Sequence, residues 1–112
     1  MESKTRVAIY YKAANGKAHA SLFINGLKDA KGKAALQIRI ARAQTGNFGD
    51  HKPLGDGLFE MRIHAGPGYR LYYGLDGDTL VVVVAAGPKD HQAKDIKRSK
   101  ALWAEYKGEK RR

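Results

Sequence analysis

The side chains best suited to chemistry lie in two neighbouring stretches, residues 58–64 and 69–75, that alternate polar and apolar positions. A planar guanidinium matches the oxygens of a phosphate group, and an imidazole exchanges protons near neutral pH. If these residues meet, they are suited to acid–base chemistry at a phosphate. They are Arg62, His64, Arg70 and Tyr72.

The two stretches predict a β-hairpin, whose register decides whether these side chains share a face. Gly66-Pro67-Gly68 predicts a three-residue turn, which pairs His64 with Arg70 and Arg62 with Tyr72. A four-residue turn would put Arg70 beside Ile63 and mix the two faces. Since register is set by keeping one face apolar, we expect the polar residues on one face and core residues on the other.

The remaining pattern predicts one α+β domain spanning residues 1–112. Residues 80–86 are almost continuously apolar, as in a central strand covered on both faces. Residues 107–112 are expected to form a frayed basic tail. The other predicted elements are a strand at 7–11, a helix at about 17–27 with Asn15 as its possible cap, and helices at 31–44 and 88–106.

The composition indicates an anionic partner. The net charge is +10, and the segment from Lys89 onward holds nine basic and four acidic residues. A small domain this basic is typical of proteins that bind nucleic acid, an acidic protein or anionic lipid. The alternative is that the lysines only keep the surface soluble.

Several classes of protein are excluded or disfavoured. The chain has no cysteine, which excludes disulfide scaffolds, thiolate catalysis and thiolate zinc sites, and fits a reducing compartment. The four histidines lack metal-ligand spacing, and the Gly-Pro-Gly turn joins two strands rather than opening a helix, so we expect no cofactor. No apolar run is long enough for a membrane helix and no signal-peptide pattern is present, which predicts a cytoplasmic protein.

Five short segments, in this order along the chain, carry a resemblance to a known family. They are Gly46-Asn47-Phe48-Gly49-Asp50, Lys52-Pro53-Leu54-Gly55-Asp56-Gly57-Leu58-Phe59-Glu60-Met61-Arg62, Gly66-Pro67-Gly68-Tyr69-Arg70-Leu71-Tyr72-Tyr73, Gly87-Pro88-Lys89-Asp90, and Gln92 with Asp95-Ile96. Together they resemble the addiction-module killer proteins, a HigB-like branch of the RelE/ParE toxin superfamily, over about residues 7–102.

The resemblance implies a β-α-α-β-β-β-α fold, with a small twisted, mainly antiparallel sheet, a helical hairpin and a C-terminal helix. It also implies a toxin of a type II toxin–antitoxin system, neutralised by a helix-turn-helix antitoxin from an adjacent gene, with operator DNA bound only through that complex. RelE-type members are endoribonucleases that cut mRNA on the ribosome without a metal and so inhibit translation, whereas ParE-type members inhibit DNA gyrase. The fold alone does not choose between them, nor does it exclude a purely regulatory partner.

Site residues follow from the same resemblance. Arg70 matches the arginine that RelE-type enzymes place on the scissile phosphate, and Arg62 and Lys89 match basic positions near it. The tyrosine that some members use is absent from residues 90–93. Proton transfer then requires His64 or His91, or catalysis rests mostly on phosphate stabilisation and on the geometry of the ribosome. Expected RNA-binding residues are Lys52, Tyr72 and Arg42. The alternatives are a strand arginine paired with Glu60 or a neighbour for Arg70, and ordinary surface or packing roles for the others.

Overall fold

The structure, a computed structural model, describes residues 5–111. A short 3₁₀ turn, Lys89–His91, precedes the last helix. The elements are β1 (Val7–Tyr10), α1 (His19–Gly26), α2 (Ala30–Ala43), β2 (His51–Gly55), β3 (Leu58–Ile63), β4 (Tyr69–Asp76), β5 (Leu80–Pro88) and α3 (Gln92–Lys110).

The strands form one mixed sheet in the order β1-β5-β4-β3-β2. β1 lies parallel to β5, and the other neighbours are antiparallel. β5 therefore has a strand on each side, which confirms the prediction of a central strand at 80–86. The α+β class is also confirmed.

The sheet separates two apolar cores because successive side chains of a strand point to opposite faces. On one face, Met61, Leu71 and Val83 pack with residues of α1 and α2, including the fully buried Ile24 and Leu36. On the other face, buried residues from the strands pack under α3. They are Leu58, Tyr72, Val82, Val84 and Ala85, together with Trp103 and Tyr106 of α3.

The final helix has the predicted length of 19 residues but lies four residues further along the chain, at 92–110 instead of 88–106. The expectation of a frayed tail is wrong for residues 107–110, which are helical, while Arg112 lies outside the described residues. Helical spacing carries Lys107 and Lys110 back to the end of the sheet, where Lys107 Nζ lies 5.6 Å from the Trp103 ring centre and Lys110 Nζ lies 3.7 Å from Asp76 Oδ2. Neither this helix nor any other among the described residues is long and apolar enough to cross a membrane.

The two N-terminal helices begin differently. α2 begins after Asp29, whose carboxylate accepts a hydrogen bond of 3.1 Å from the Gly32 N–H. α1 begins after Ala18, which offers no side-chain cap. The prediction that Asn15 caps α1 is wrong: its side-chain oxygen accepts a hydrogen bond from the Lys17 N–H within the preceding turn.

The hairpin register differs by two residues from the prediction. Arg62 pairs with Arg70 and Ile63 with Tyr69, so residues 64–68 form the turn. Gly66 and Gly68 have φ values of 52° and 90°, which suit glycine and allow this wider turn. The predicted faces are nevertheless confirmed for Arg62 and Arg70, because a shift by two leaves every side chain on the same side.

β2 was not predicted as a strand; residue 52 was expected in a loop. It is an edge strand that pairs with β3, and an edge position tolerates Pro53 because one side of the strand needs no backbone donor. β2 brings Lys52 opposite Glu60.

Candidate functional site

Arg62 and Arg70, hereafter the arginine pair, lie directly opposite each other on β3 and β4. Both side chains point to the face of the sheet that α3 covers, since both lie beside Glu60, which contacts Gln92 of α3. Alternation along a strand places residues 60 and 62 on one face. The sheet therefore brings two cations together where α3 begins.

Glu60 lies at the centre of this group and is fully buried. Its Oε1 is 3.4 Å from Arg62 Nε and 3.9 Å from Arg70 Nε, while its Oε2 accepts a 2.7 Å hydrogen bond from Gln92 Nε2. A single carboxylate thus faces both guanidinium groups and ties them to the first residue of α3. Two positive charges against one negative charge leave the group cationic.

The terminal nitrogens of the two guanidinium groups have no hydrogen-bond acceptor within the described residues. Each faces Glu60 through Nε, and no residue in the described range accepts a hydrogen bond from their terminal nitrogens. The Arg62 side chain is 35% exposed and that of Arg70 is 14% exposed. These nitrogens are therefore available to an anion, and a guanidinium binds phosphate oxygens well.

The position of Tyr72 corrects its predicted role. Its side chain is fully buried beneath α3, so its ring is not available to stack on an RNA base. Burial raises the pKa of the Tyr72 hydroxyl well above its usual value, and the nearby Glu60 carboxylate adds to the effect. Tyr72 is therefore a core residue that packs under α3 near Glu60.

His64 stands at the open end of β3 in contact with an acid. Its Nε2 lies 2.7 Å from Asp50 Oδ2, and this hydrogen bond holds the pKa of Asp50 below its usual value. The Asp50 carbonyl accepts a 2.9 Å hydrogen bond from the backbone of Arg62. The histidine–aspartate pair is therefore adjacent to Arg62 and combines groups that can exchange a proton.

Arg39 of α2 lies on the other side of the sheet and binds the backbone near the end of β3. Its Nη1 donates a 2.6 Å hydrogen bond to the Arg62 carbonyl, and its Nη2 donates to the carbonyls of Phe48 and Asp50. Burial lowers the pKa of Arg39. One side chain thus holds the segment before β2 against the end of β3.

Lys89 and His91 lie at the same end of the sheet, where β5 passes into α3. Gly87 pairs with Arg70, and two residues later the Lys89 N–H donates to the Gly68 carbonyl at 3.1 Å. The Lys89 side chain runs along Gly68, and both Lys89 and His91 are exposed. They lie near the arginine pair, but neither forms a hydrogen bond or ion pair with it within residues 5–111.

The two remaining predicted RNA-binding residues, Lys52 and Arg42, lie on opposite faces of the sheet. Lys52 pairs with Glu60, so it shares the face of the arginine pair and is exposed there. Arg42 lies on α2, which packs on the opposite face of the sheet. Its grouping with the site is therefore wrong, because a helix pattern does not tell which face of the sheet that helix covers.

Comparison with known proteins gives one informative match. A protein of Haemophilus influenzae (strain Rd), described as "Uncharacterized protein", is 45% identical over 83 residues, which are 74% of this chain and 84% of that protein. The chain belongs to the family of this Haemophilus protein. No protein-family model and no solved structure matches the chain. This family membership assigns no activity, since the description of the relative names none.

Glu60 was named from the sequence only as the alternative partner of Arg70, and the structure confirms that pairing at 3.9 Å between Glu60 Oε1 and Arg70 Nε. Its place two residues before Arg62 puts both on one face. Two further residues that shape the site carried little signal in the sequence. Gln92 and Arg39 lie far from the hairpin along the chain, and only the packing of their helices brings them to it.

Among residues 5–111, no group of three or more histidine or acidic side chains is placed to hold a metal ion.

Proposed function

We propose that this protein is a toxin of the RelE/ParE superfamily, in its HigB-like branch, that cleaves mRNA on the ribosome without a metal. The element order supports the proposal: apart from the extra edge strand β2, it follows the β-α-α-β-β-β-α order that the resemblance implies. In this interpretation the protein acts in the cytoplasm and a cognate antitoxin neutralises it.

The arginine pair is the observation that carries the proposal. Cleavage of RNA through its 2′-hydroxyl requires stabilisation of the extra negative charge that develops on the phosphate. Two guanidinium groups held by one buried carboxylate, with their outer nitrogens free, provide preorganised donors for that charge. Because these donors are fixed before the substrate arrives, little reorganisation opposes the reaction.

In this proposal, His64 and His91, which lie beside the arginine pair, carry out the proton transfers. A base removes the proton of the 2′-hydroxyl, its oxygen attacks phosphorus, and the 5′-oxygen leaves with a proton from an acid. The imidazole of His64, in contact with Asp50, suits one of these steps. His91 suits the other, and Lys89 and Lys52 would add positive charge along the RNA backbone.

The test is cleavage of a reporter mRNA after induction, mapped by primer extension. We expect translation-dependent breaks that fall on the order of a hundredfold in Arg70→Ala, since removal of one transition-state donor commonly costs that much. Arg62→Ala should also lose activity. Arg42→Ala is the matched control, because it removes an exposed arginine from the opposite face. Breaks that persist unchanged in both Arg70→Ala and Arg62→Ala would rule the proposal out.

A second candidate is inhibition of DNA gyrase without cleavage. It is favoured by the outer surface of α3, which presents exposed Lys94, Lys97 and Lys100 over two turns of one helix, as a protein-binding surface would. Intact mRNA together with double-strand DNA breaks after induction would support this candidate over the nuclease. Substitution of these lysines would then abolish toxicity while Arg70→Ala would not.

A further inference from the structure

A groove of about 410 Å³ lies between the beginning of α1 and the middle of α3. None of the candidate nuclease residues lines it. The lining consists of Ala13, Asn15, Lys17, His19, Leu22, Arg98, Ala101 and Leu102. The groove is thus a surface feature separate from the arginine pair.

The apolar part of the groove is aliphatic and open to solvent. Leu22 is 61% exposed, and Leu102 and Ala101 of α3 also belong to the apolar lining. Apolar surface beside a concave feature is typical of a binding site for another protein. Phenylalanine, tyrosine and tryptophan, on whose rings nucleic-acid bases stack, are absent from the lining.

The polar part of the groove carries two cations, Lys17 and Arg98, beside the uncharged Asn15. Lys17, His19 and Arg98 line it, and no acidic residue does. α1 also begins here without a side-chain cap and without an acidic residue in its first turn. The free N–H groups of that turn therefore add partial positive charge to the same place.

Arg98 retains the capacity to bind an additional carboxylate. Its Nη1 contacts His19 Nε2 and lies 3.5 Å from Asp95 Oδ1, while 39% of the side chain stays exposed. A guanidinium only donates hydrogen bonds, so His19 accepts through Nε2 and is neutral in this contact. Burial lowers the pKa of His19, which agrees with that state.

We propose that this groove binds an acidic amphipathic segment of a protein partner. The partner's apolar side chains lie on Leu22 and Leu102, and its carboxylates pair with Lys17 and Arg98 at the uncapped start of α1. The combination of apolar contact and opposite charge is that of an amphipathic helix in a groove. This binding does not require the nuclease activity.

The test is NMR titration of the full chain with a synthetic amphipathic peptide whose leucines and glutamates follow helical spacing. We expect shifts of the amide signals of Lys17, His19, Leu22, Arg98 and Leu102. A scrambled peptide of equal composition and charge should bind more weakly. Lys17→Glu and Leu22→Asp, both at exposed positions, should each weaken binding about tenfold.

Matched controls separate the groove from general charge attraction. Lys31→Glu and Ile38→Asp make the same changes at exposed positions of α2 outside the groove, and both should bind as the unchanged protein does. Equal binding of the scrambled peptide, or equal losses in groove and control variants, would overturn the proposal. Displacement of the peptide by an RNA oligonucleotide with the same shifts would assign the groove to RNA. The readout involves no RNA cleavage, so its failure leaves the nuclease proposal standing.

Discussion

At the scale of single residues, the buried Glu60 carboxylate is the feature on which the arginine pair depends. Glu60→Gln keeps the shape of the side chain but leaves both guanidinium groups without a counter-charge. We expect unfolding to become easier by about 1–3 kcal/mol, less than for a wholly buried ion pair because both arginines reach solvent. Urea denaturation measures this change.

The same substitution tests whether Glu60 positions the arginines for catalysis. If it does, kcat for mRNA cleavage falls about tenfold while KM stays level or decreases, because the site gains positive charge. Glu109→Gln, which removes an exposed carboxylate of α3, is the control and should leave kcat unchanged. A kcat that is normal once the folded fraction is accounted for would make Glu60 a structural residue only.

Asp95 is a second buried acid near the start of α3, and its ionisation opposes folding. Its Oδ2 is buried without a hydrogen-bond partner in the described structure, and burial raises its pKa. A carboxyl whose pKa is higher in the folded state stabilises the fold below its unfolded pKa, and this contribution is lost as pH rises through the folded value.

Asp95→Asn should therefore flatten the dependence of stability on pH between the unfolded pKa, about 4, and the raised folded pKa. The free energy of unfolding, measured by urea denaturation across this window, checks the prediction. Asp90→Asn, at an exposed position in the turn before α3, is the comparison and should retain the slope. An unchanged slope in Asp95→Asn would show that this carboxyl does not titrate differently on folding.

At the scale of elements, the docking of α3 on the sheet rests on one close approach. A Cβ added at Gly74 of β4 would overlap the Trp103 ring, so Gly74→Ala forces the helix away from the strand. We expect a loss of about 1–3 kcal/mol, as for other overpacked cores. Gly108→Ala, in the same helix with open space around it, should instead stabilise the protein by up to about 1 kcal/mol. Thermal unfolding compares the two, and equal effects would contradict this packing.

Periodicity predicted the elements well where at least one face is buried. The alternation of β3 and the continuous apolar run of β5 identified both strands, and α2 was found within a residue or two. The hairpin register was missed because a shift by two residues keeps the apolar face intact. β2 was missed because an exposed edge strand that contains proline shows no alternation of apolar and polar residues from which it could be predicted.

The candidate site was predictable only in part, for a related reason. Strand alternation placed Arg62 and Arg70 on one face correctly, because that is a local property of the chain. The burial of Tyr72 and the position of Arg42 depend on which helix covers which face, and local pattern does not contain that information. The contacts made by Gln92 and Arg39 are likewise products of tertiary packing.

At the scale of the whole molecule, the excess charge serves more than one surface. The arginine pair lies at one end of the sheet, the groove between α1 and α3 carries Lys17 and Arg98, and exposed lysines line the outer face of α3. A net charge of +10 attracts any polyanion at long range. Only close contacts distinguish the surfaces, so a measurement that counts ionic contacts is needed.

The salt dependence of ribosome binding provides that count. Each phosphate contact with single-stranded RNA lowers the slope of log affinity against log salt concentration by about 0.7. If the arginine pair holds the scissile phosphate and a neighbour, the double substitution Arg62→Ala and Arg70→Ala should make the slope shallower by about 0.7–1.4. Lys17→Glu, in the groove, should leave it unchanged, since the groove is assigned to a protein partner. A slope that responds to Lys17→Glu and not to the arginine pair would place the RNA in the groove and refute both assignments together.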